Sequence, residues 1–300
     1  MKNTNTHIKS IDAISFSQRL TDFGMLIKFR LTMLVVFSSV MAYFIGATSI
    51  EFNAIILLIL GGSLVTFAAN ILNQVLEKDY DRLMKRTENR PLPQGRMTVS
   101  TAVLMAGFFS LIGITLLCLA NVWAGLMGTA SLILYAFIYT PLKRVSSISV
   151  LVGAIPGALP MSIGCIVAEG SVTSLALALF AVQFFWQFPH FWSIAFLGHE
   201  DYSNAGYKML PSKSGLPDAE IGFQSFIYSL LLYPVFGALY FLGYQSLLGV
   251  GLLCLVSVLY TFYSWKLYKN VDKESAKKLM FSSFAYLPLV LFILFIFKLS

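Results

Sequence analysis

Charge is what this sequence has least of. Only 12% of its 300 residues are Asp, Glu, Lys or Arg, against 57% hydrophobic, and the mean hydropathy is +0.77. That scarcity excludes an ordinary soluble domain. Cysteine is nearly absent: Cys118, Cys165 and Cys254 each stand alone in an apolar stretch, which excludes a disulfide framework, a redox pair and a cysteine zinc site. Dyad alternation of apolar and polar residues is missing, so a transmembrane β-barrel is not expected. The first 25 residues lack the uninterrupted apolar run of a secretory signal; they are also poor in Arg and hold Asp12 and Asp22, which argues against a mitochondrial transit peptide.

What is present is length without charge. Nine apolar segments of about 20 residues, the number that spans a bilayer core, run over 31–50, 54–76, 99–120, 122–141, 149–168, 172–196, 222–243, 247–265 and 279–297. Backbone groups in hydrocarbon must pair within their own segment, so each is expected to be helical. The predicted fold is an all-α polytopic membrane bundle of nine helices. A cytoplasmic segment 1–30 precedes a single domain over 31–298.

Basic residues set the orientation. Lys2, Lys9, Arg19, Lys28 and Arg30 precede the first span; Lys78, Arg82, Lys85, Arg86, Arg90 and Arg96 follow the second. Lys143, Arg144, Lys208, Lys213, Lys266, Lys269, Lys273, Lys277 and Lys278 continue the pattern. The intervening turns near Glu51, Asn121, Glu169 and Gln245 carry no base, and Lys298 alone falls opposite. The N-terminus is therefore expected in the cytoplasm and the C-terminus across a bacterial-type inner membrane. The bases read as topological, and no nucleic-acid partner is expected.

Two inner-face loops are long and polar, 77–98 and 197–220. Each has an Asp-Tyr pair near its start, Asp79-Tyr80 and Asp201-Tyr202, 122 residues apart, and each ends at proline. This reads either as a duplication of four-helix units with a ninth helix appended, or as chance likeness of two charged loops.

The second span ends in Asn70, Asn73, Glu77 and Asp81, spaced to share one helical face. Polar side chains at that depth point to the bundle interior, a partner or a water-filled cavity. An oxygen stripe ending in two carboxylates suits Mg²⁺, which keeps waters and takes substrate phosphate oxygens, better than an all-protein cage. Arg82, Lys85, Arg86 and Arg90 follow the stripe, and Lys143 and Arg144 stand at the inner end of the fourth span, bases suited to grip the anion. Gln183, Gln187 and His190 share a face of the sixth span, beside Pro189 and a crowd of aromatic rings.

The runs Asn73 to Asp81 and Met84 to Pro93 resemble the first acidic motif of the UbiA superfamily of intramembrane prenyltransferases. Tyr139-Thr140-Pro141-Leu142-Lys143-Arg144, Phe188-Pro189-His190 and Asp201-Tyr202 are similar to its protoheme IX farnesyltransferase branch. Two positions depart from the superfamily pattern: Glu77 stands where Asp is frequent, and Asp201 is followed four residues on by Ala205 rather than a second Asp. The resemblance implies Mg²⁺ on Asn73, Glu77, Asp81 and Asp201, and diphosphate on Arg86, Arg90, Lys143 and Arg144. It implies farnesyl transfer from farnesyl diphosphate to protoheme IX within the lipid bilayer, with haem A synthase or terminal oxidase assembly downstream. His190, His199 and Tyr202 are its candidates for the haem acceptor. Another acceptor, such as a quinone precursor, keeps the same metal logic; a secondary transporter fits the apparent repeat and the inward polar residues.

Overall fold

The computed structural model describes residues 15–212 and 215–299; Lys2, Lys9, Asp12 and Lys213 lie outside them. A short helix, α1 (Phe16–Leu26), precedes the bundle. The long helices are α2 (Phe29–Gly46), α3 (Phe52–Asp81), α4 (Val99–Ala120), α5 (Val122–Ile133), α7 (Ser149–Glu169), α8 (Ser174–Leu197), α12 (Leu247–Asn270) and α13 (Lys273–Ile296). After α5 the chain continues without a break through a π-helical turn, Leu134–Tyr139, into α6 (Thr140–Leu142). The short α9 (His199–Asn204) follows α8, and α10 (Ala219–Leu230) and α11 (Leu232–Phe241) complete the set.

All nine predicted spans fall on helices, and eight are long and apolar enough to cross a membrane. The other, α8, has 24 residues but carries Gln183, Gln187, His190 and Ser193, which lower its apolarity. The span expected over 222–243 is interrupted at Leu231 between α10 and α11; Pro234 has no N–H to return to the preceding turn. The molecule is a multi-pass helical membrane protein.

Side-chain caps fix several helix starts, which otherwise leave backbone donors unpaired. Asn121 Oδ1 accepts from Trp123 N at 2.8 Å, Thr98 Oγ1 from Thr101 N at 3.1 Å, and Asp272 Oδ1 from Ser275 N at 2.7 Å. Lys298 Nζ donates to the Phe44 and Ala47 carbonyls at 2.8 and 2.7 Å, a cation on the negative end of α2, at the opposite end of that helix from Lys28.

Helix α7 is the most enclosed span, with 72% of its apolar window buried, and packs against α2, α5 and α8. Close approach needs small residues, as membrane helices pack without a hydrophobic drive between them. Gly164 meets α2 so tightly that a Cβ there would overlap the Ser39 carbonyl oxygen. One apolar core joins α1 to α5 with part of α7; a larger one joins α2 and α7 to α8 and everything after it. The gap between these cores, at the ends of α3 and α8, is where the polar residues gather.

Candidate active site

Helix α3 runs on through Asp81, so Asn73, Glu77 and Asp81 stand one turn apart on a continuous helix rather than partly in a loop. All three face inward, with exposures of 1%, 4% and 0%, and line a cavity of about 900 Å³. The stripe is thus buried in the protein, not turned to lipid.

Each of its side chains meets a cation. Lys28 Nζ donates to Asn73 Oδ1, Lys143 Nζ to Glu77 Oε1 and Arg90 Nη1 to Asp81 Oδ2, all at 2.8 Å. Asn73 Nδ2 in turn donates to Thr140 Oγ1 at 3.0 Å, which fixes the amide with its oxygen toward Lys28. Among the described residues five cations line the cavity, Lys28, Arg30, Arg86, Arg90 and Lys143, against two carboxylates, Glu77 and Asp81. Five minus two leaves a formal excess of three positive charges in a low-dielectric recess, which suits a polyanion.

Lys28 was no more than a topological charge in the sequence. It reaches the site because the backbone between α1 and α2 turns left-handed there, φ 48° and ψ 55°, a conformation that costs a non-glycine residue free energy and persists where surroundings enforce it. Burial, together with the neighbouring charges of Arg90 and Lys143, lowers its pKa to about 7 against the pull of Glu77 and Asp81. Lys143 behaves oppositely: burial works against its charge, but Tyr139, Glu77 and Tyr135 hold the ammonium well above the usual lysine range.

The π-helical turn aims two rings at the cavity. Tyr135 and Tyr139, with centroids 5.3 Å apart, line it with Tyr202, Tyr207 and Phe191, and Lys143 Nζ lies 4.6 Å from the Tyr139 ring centre. Such π turns recur at functional sites because they re-aim side chains. Tyr135 and Tyr207 were missed in the sequence; Tyr139 stood in a noted motif without a role. An aromatic pair four apart just before Thr140-Pro141 is the signal that was available.

The two polar loops meet here. Arg86 Nη2 donates to Tyr202 OH at 2.9 Å, with the guanidinium 5.3 Å over its ring, and Lys208 N donates to Lys143 O at 2.7 Å. Arg96 clamps the Asp22 carboxylate through Nε and Nη2, at 2.9 and 2.8 Å to its two oxygens, tying α1 to the first loop.

The remaining candidates lie elsewhere. Asp201, half-buried on α9, is outside the cavity lining, although its charge helps hold that of Arg86. Arg144 packs its guanidinium 4.1 Å over the Tyr80 ring and donates to Tyr80 OH at 2.7 Å, outside the lining. His190 is buried in the bundle, stacked on Trp186 at 4.8 Å with Nδ1 2.7 Å from Ser283 Oγ. His199 lines a second, neighbouring cavity.

The donor set fits Mg²⁺. Asp81 Oδ1 is buried and has no hydrogen-bond partner, a state costly to leave uncompensated, and the stripe offers only oxygens. Among the described residues no group of three or more His, Cys, Asp or Glu is arranged around a metal position, so the remaining coordination would come from water and a substrate phosphate.

Residues 34–293 match the UbiA prenyltransferase family. The chain is 41% identical over 295 residues to the protoheme IX farnesyltransferase of Christiangramia forsetii, covering 97% of this chain and 95% of that one. The solved structure of a digeranylgeranylglyceryl phosphate synthase superposes with a TM-score of 0.78 at 18% identity, over 93% of this chain and 98% of that one. A UbiA homolog from Archaeoglobus fulgidus bound to GPP and Mg²⁺ superposes at 0.69 and 16% identity, over 91% and 99%.

Proposed function

The chain belongs to the UbiA prenyltransferase family, and from that premise we propose that it transfers a farnesyl group from farnesyl diphosphate to a vinyl group of protoheme IX. Water then adds to give the hydroxyethylfarnesyl side chain of haem O. The observation that carries the reaction type is the convergence of Asn73, Glu77 and Asp81 with five cations on one cavity. The acceptor rests on likeness over nearly the whole chain to a relative named for it. A quinone-precursor acceptor has no such support, and full-length similarity to an enzyme removes the ground for a transporter.

Bound between Asn73, Glu77, Asp81 and the diphosphate, Mg²⁺ would supply Lewis-acid activation of the leaving group. Lys28, Arg86, Arg90 and Lys143 bind the diphosphate and take up the charge that grows on its bridging oxygen as the C–O bond breaks, which lowers the barrier beyond simple binding. Tyr135, Tyr139, Tyr207 and Phe191 surround the allylic cation with ring faces and keep water away until the new C–C bond has formed. Phe29 and Leu31 of the α2 start, with Ile194 on α8, give the cavity an apolar side, along which the farnesyl tail reaches lipid. At the rim, the Asp201 charge supports that of Arg86, and its carboxylate would help hold a second Mg²⁺. Arg144 braces Tyr80 behind the site. Of the acceptor candidates, Tyr202 lines both cavities and His199 the second, whereas His190 lines neither.

The charge distribution supports an active site at the cytoplasmic face of a bacterial-type inner membrane, N-terminus inside and C-terminus outside. Haem O is the substrate class that haem A synthase or terminal oxidase assembly would consume. Purified protein given farnesyl diphosphate, protohaem and Mg²⁺ is expected to release diphosphate and form haem O, read by mass spectrometry. A prenylated aromatic acid formed in preference would overturn the acceptor.

A further inference from the structure

Beyond the wall formed by Ala195, Tyr202, Tyr207 and Met209 lies a second cavity of about 580 Å³, and these four residues line both. Its chemistry differs from that of the first. Among the described residues no carboxylate lines it and the one permanent cation is Lys208, accompanied by the hydroxyls of Ser146, Ser147 and Ser203 and the His199 ring. Lys208 makes no ion pair among the described residues, and its backbone is pinned to Lys143. At the common wall the Tyr207 side chain is only 6% exposed, with its hydroxyl toward Glu77 on the side of the first cavity.

We propose that this second cavity is the acceptor chamber, holding a planar macrocycle whose carboxylates lie toward Lys208, Ser146 and Ser147 and whose reacting edge reaches the prenyl carbon past Tyr207. The inference rests on the functional reading above and specifies where its second substrate sits. The size is that of a chamber for a large ligand rather than for a single ring. The absence of acids suits an anionic edge, since a lysine with no counter-ion is free to pair with it. Separate chambers also keep the acceptor's carboxylates off the metal ligands, so the two anions do not compete for one site.

The test uses the full chain in detergent with Mg²⁺, and two substitutions that fill the chamber from different sides, Ser146→Trp and Ser203→Trp. Protohaem binding is followed by absorbance, and the affinity for a non-reactive farnesyl diphosphate analogue is measured separately. Both variants are expected to bind protohaem at least tenfold more weakly and to raise its KM by a similar factor, while analogue affinity stays within about twofold of the parent's. Lys208→Ala is expected to erase the preference for protohaem over its dimethyl ester. Unchanged protohaem binding in both tryptophan variants overturns the chamber, as does a loss of analogue affinity equal to the loss of protohaem, or slowed pyrophosphate release as the sole effect. A parent that binds protohaem in this cavity without prenylating it would instead overturn the reaction and leave the chamber standing.

Discussion

Arg90 holds one oxygen of Asp81 at 2.8 Å and leaves the other, equally buried, without a partner. The half-satisfied carboxylate is the structural core of the site, because the guanidinium fixes its orientation while the free oxygen keeps a lone pair for an incoming cation.

Asp81→Asn keeps the shape and removes the charge. It is expected to lower kcat for Mg²⁺-dependent diphosphate release on the order of 10²–10³-fold, measured as pyrophosphate formed in detergent. Activity near the parent level would remove Asp81 from the metal site.

Lys28 faces an amide rather than an acid, so its ammonium is available to an anion. Lys28→Met is expected to weaken binding of a non-reactive farnesyl diphosphate analogue about tenfold, ~1.4 kcal/mol. Calorimetry on the purified variant would decide, and unchanged affinity would return Lys28 to a purely topological role.

Glu77 and Lys143 form an enclosed pair at 2.8 Å, with side chains 5% and 12% exposed. Removing one partner strands the other, at a cost of about 3–5 kcal/mol. Glu77→Gln and Lys143→Met should each lower the melting temperature, and the double variant should recover part of the loss. Additive losses would show that the two do not act as a pair.

Burial raises the pKa of Asp22, but hydrogen bonds from Arg96 and Gln18 and the Arg96 charge outweigh it and hold the carboxyl below its usual range. A depressed carboxylate contributes stability above its unfolded pKa, and loses that contribution as pH falls through the folded one. Asp22→Asn should therefore melt earlier than the parent from neutrality down to about pH 5, with the gap closing below about pH 4. A gap that persists in acid would assign the effect to packing.

Gly164→Ala would drive a methyl group into the Ser39 carbonyl of α2, whereas a Cβ at Gly107 on α4 meets nothing within 4 Å. The first variant is expected to lower the yield of monodisperse protein severely, the second to leave it unchanged. Size-exclusion profiles of the two, side by side, check the α2–α7 contact.

The helical character, the membrane and the interior stripe could all be read from the chain, because each is a local or periodic property. A run of apolar residues must pair its own backbone, and spacings of three and four put Asn73, Glu77 and Asp81 on one face whatever surrounds them. The interruption near Leu231 could be read less well, since one proline inside an apolar run is compatible with a kinked continuous helix.

Which side chains share a cavity was settled by folding. Lys28 lies 45 residues from Asn73 and Tyr202 lies 116 from Arg86, and no periodicity links positions so far apart. His190 and Arg144 looked as eligible as Lys143 in the sequence, yet the face of α8 on which it stands sets the first in the bundle among Trp186 and Ser283, and the turn after α6 lays the second onto Tyr80. Sequence fixes the face of a helix on which a residue stands; packing between helices fixes what that face meets, and here it brought the cations of three separate segments onto one acidic stripe.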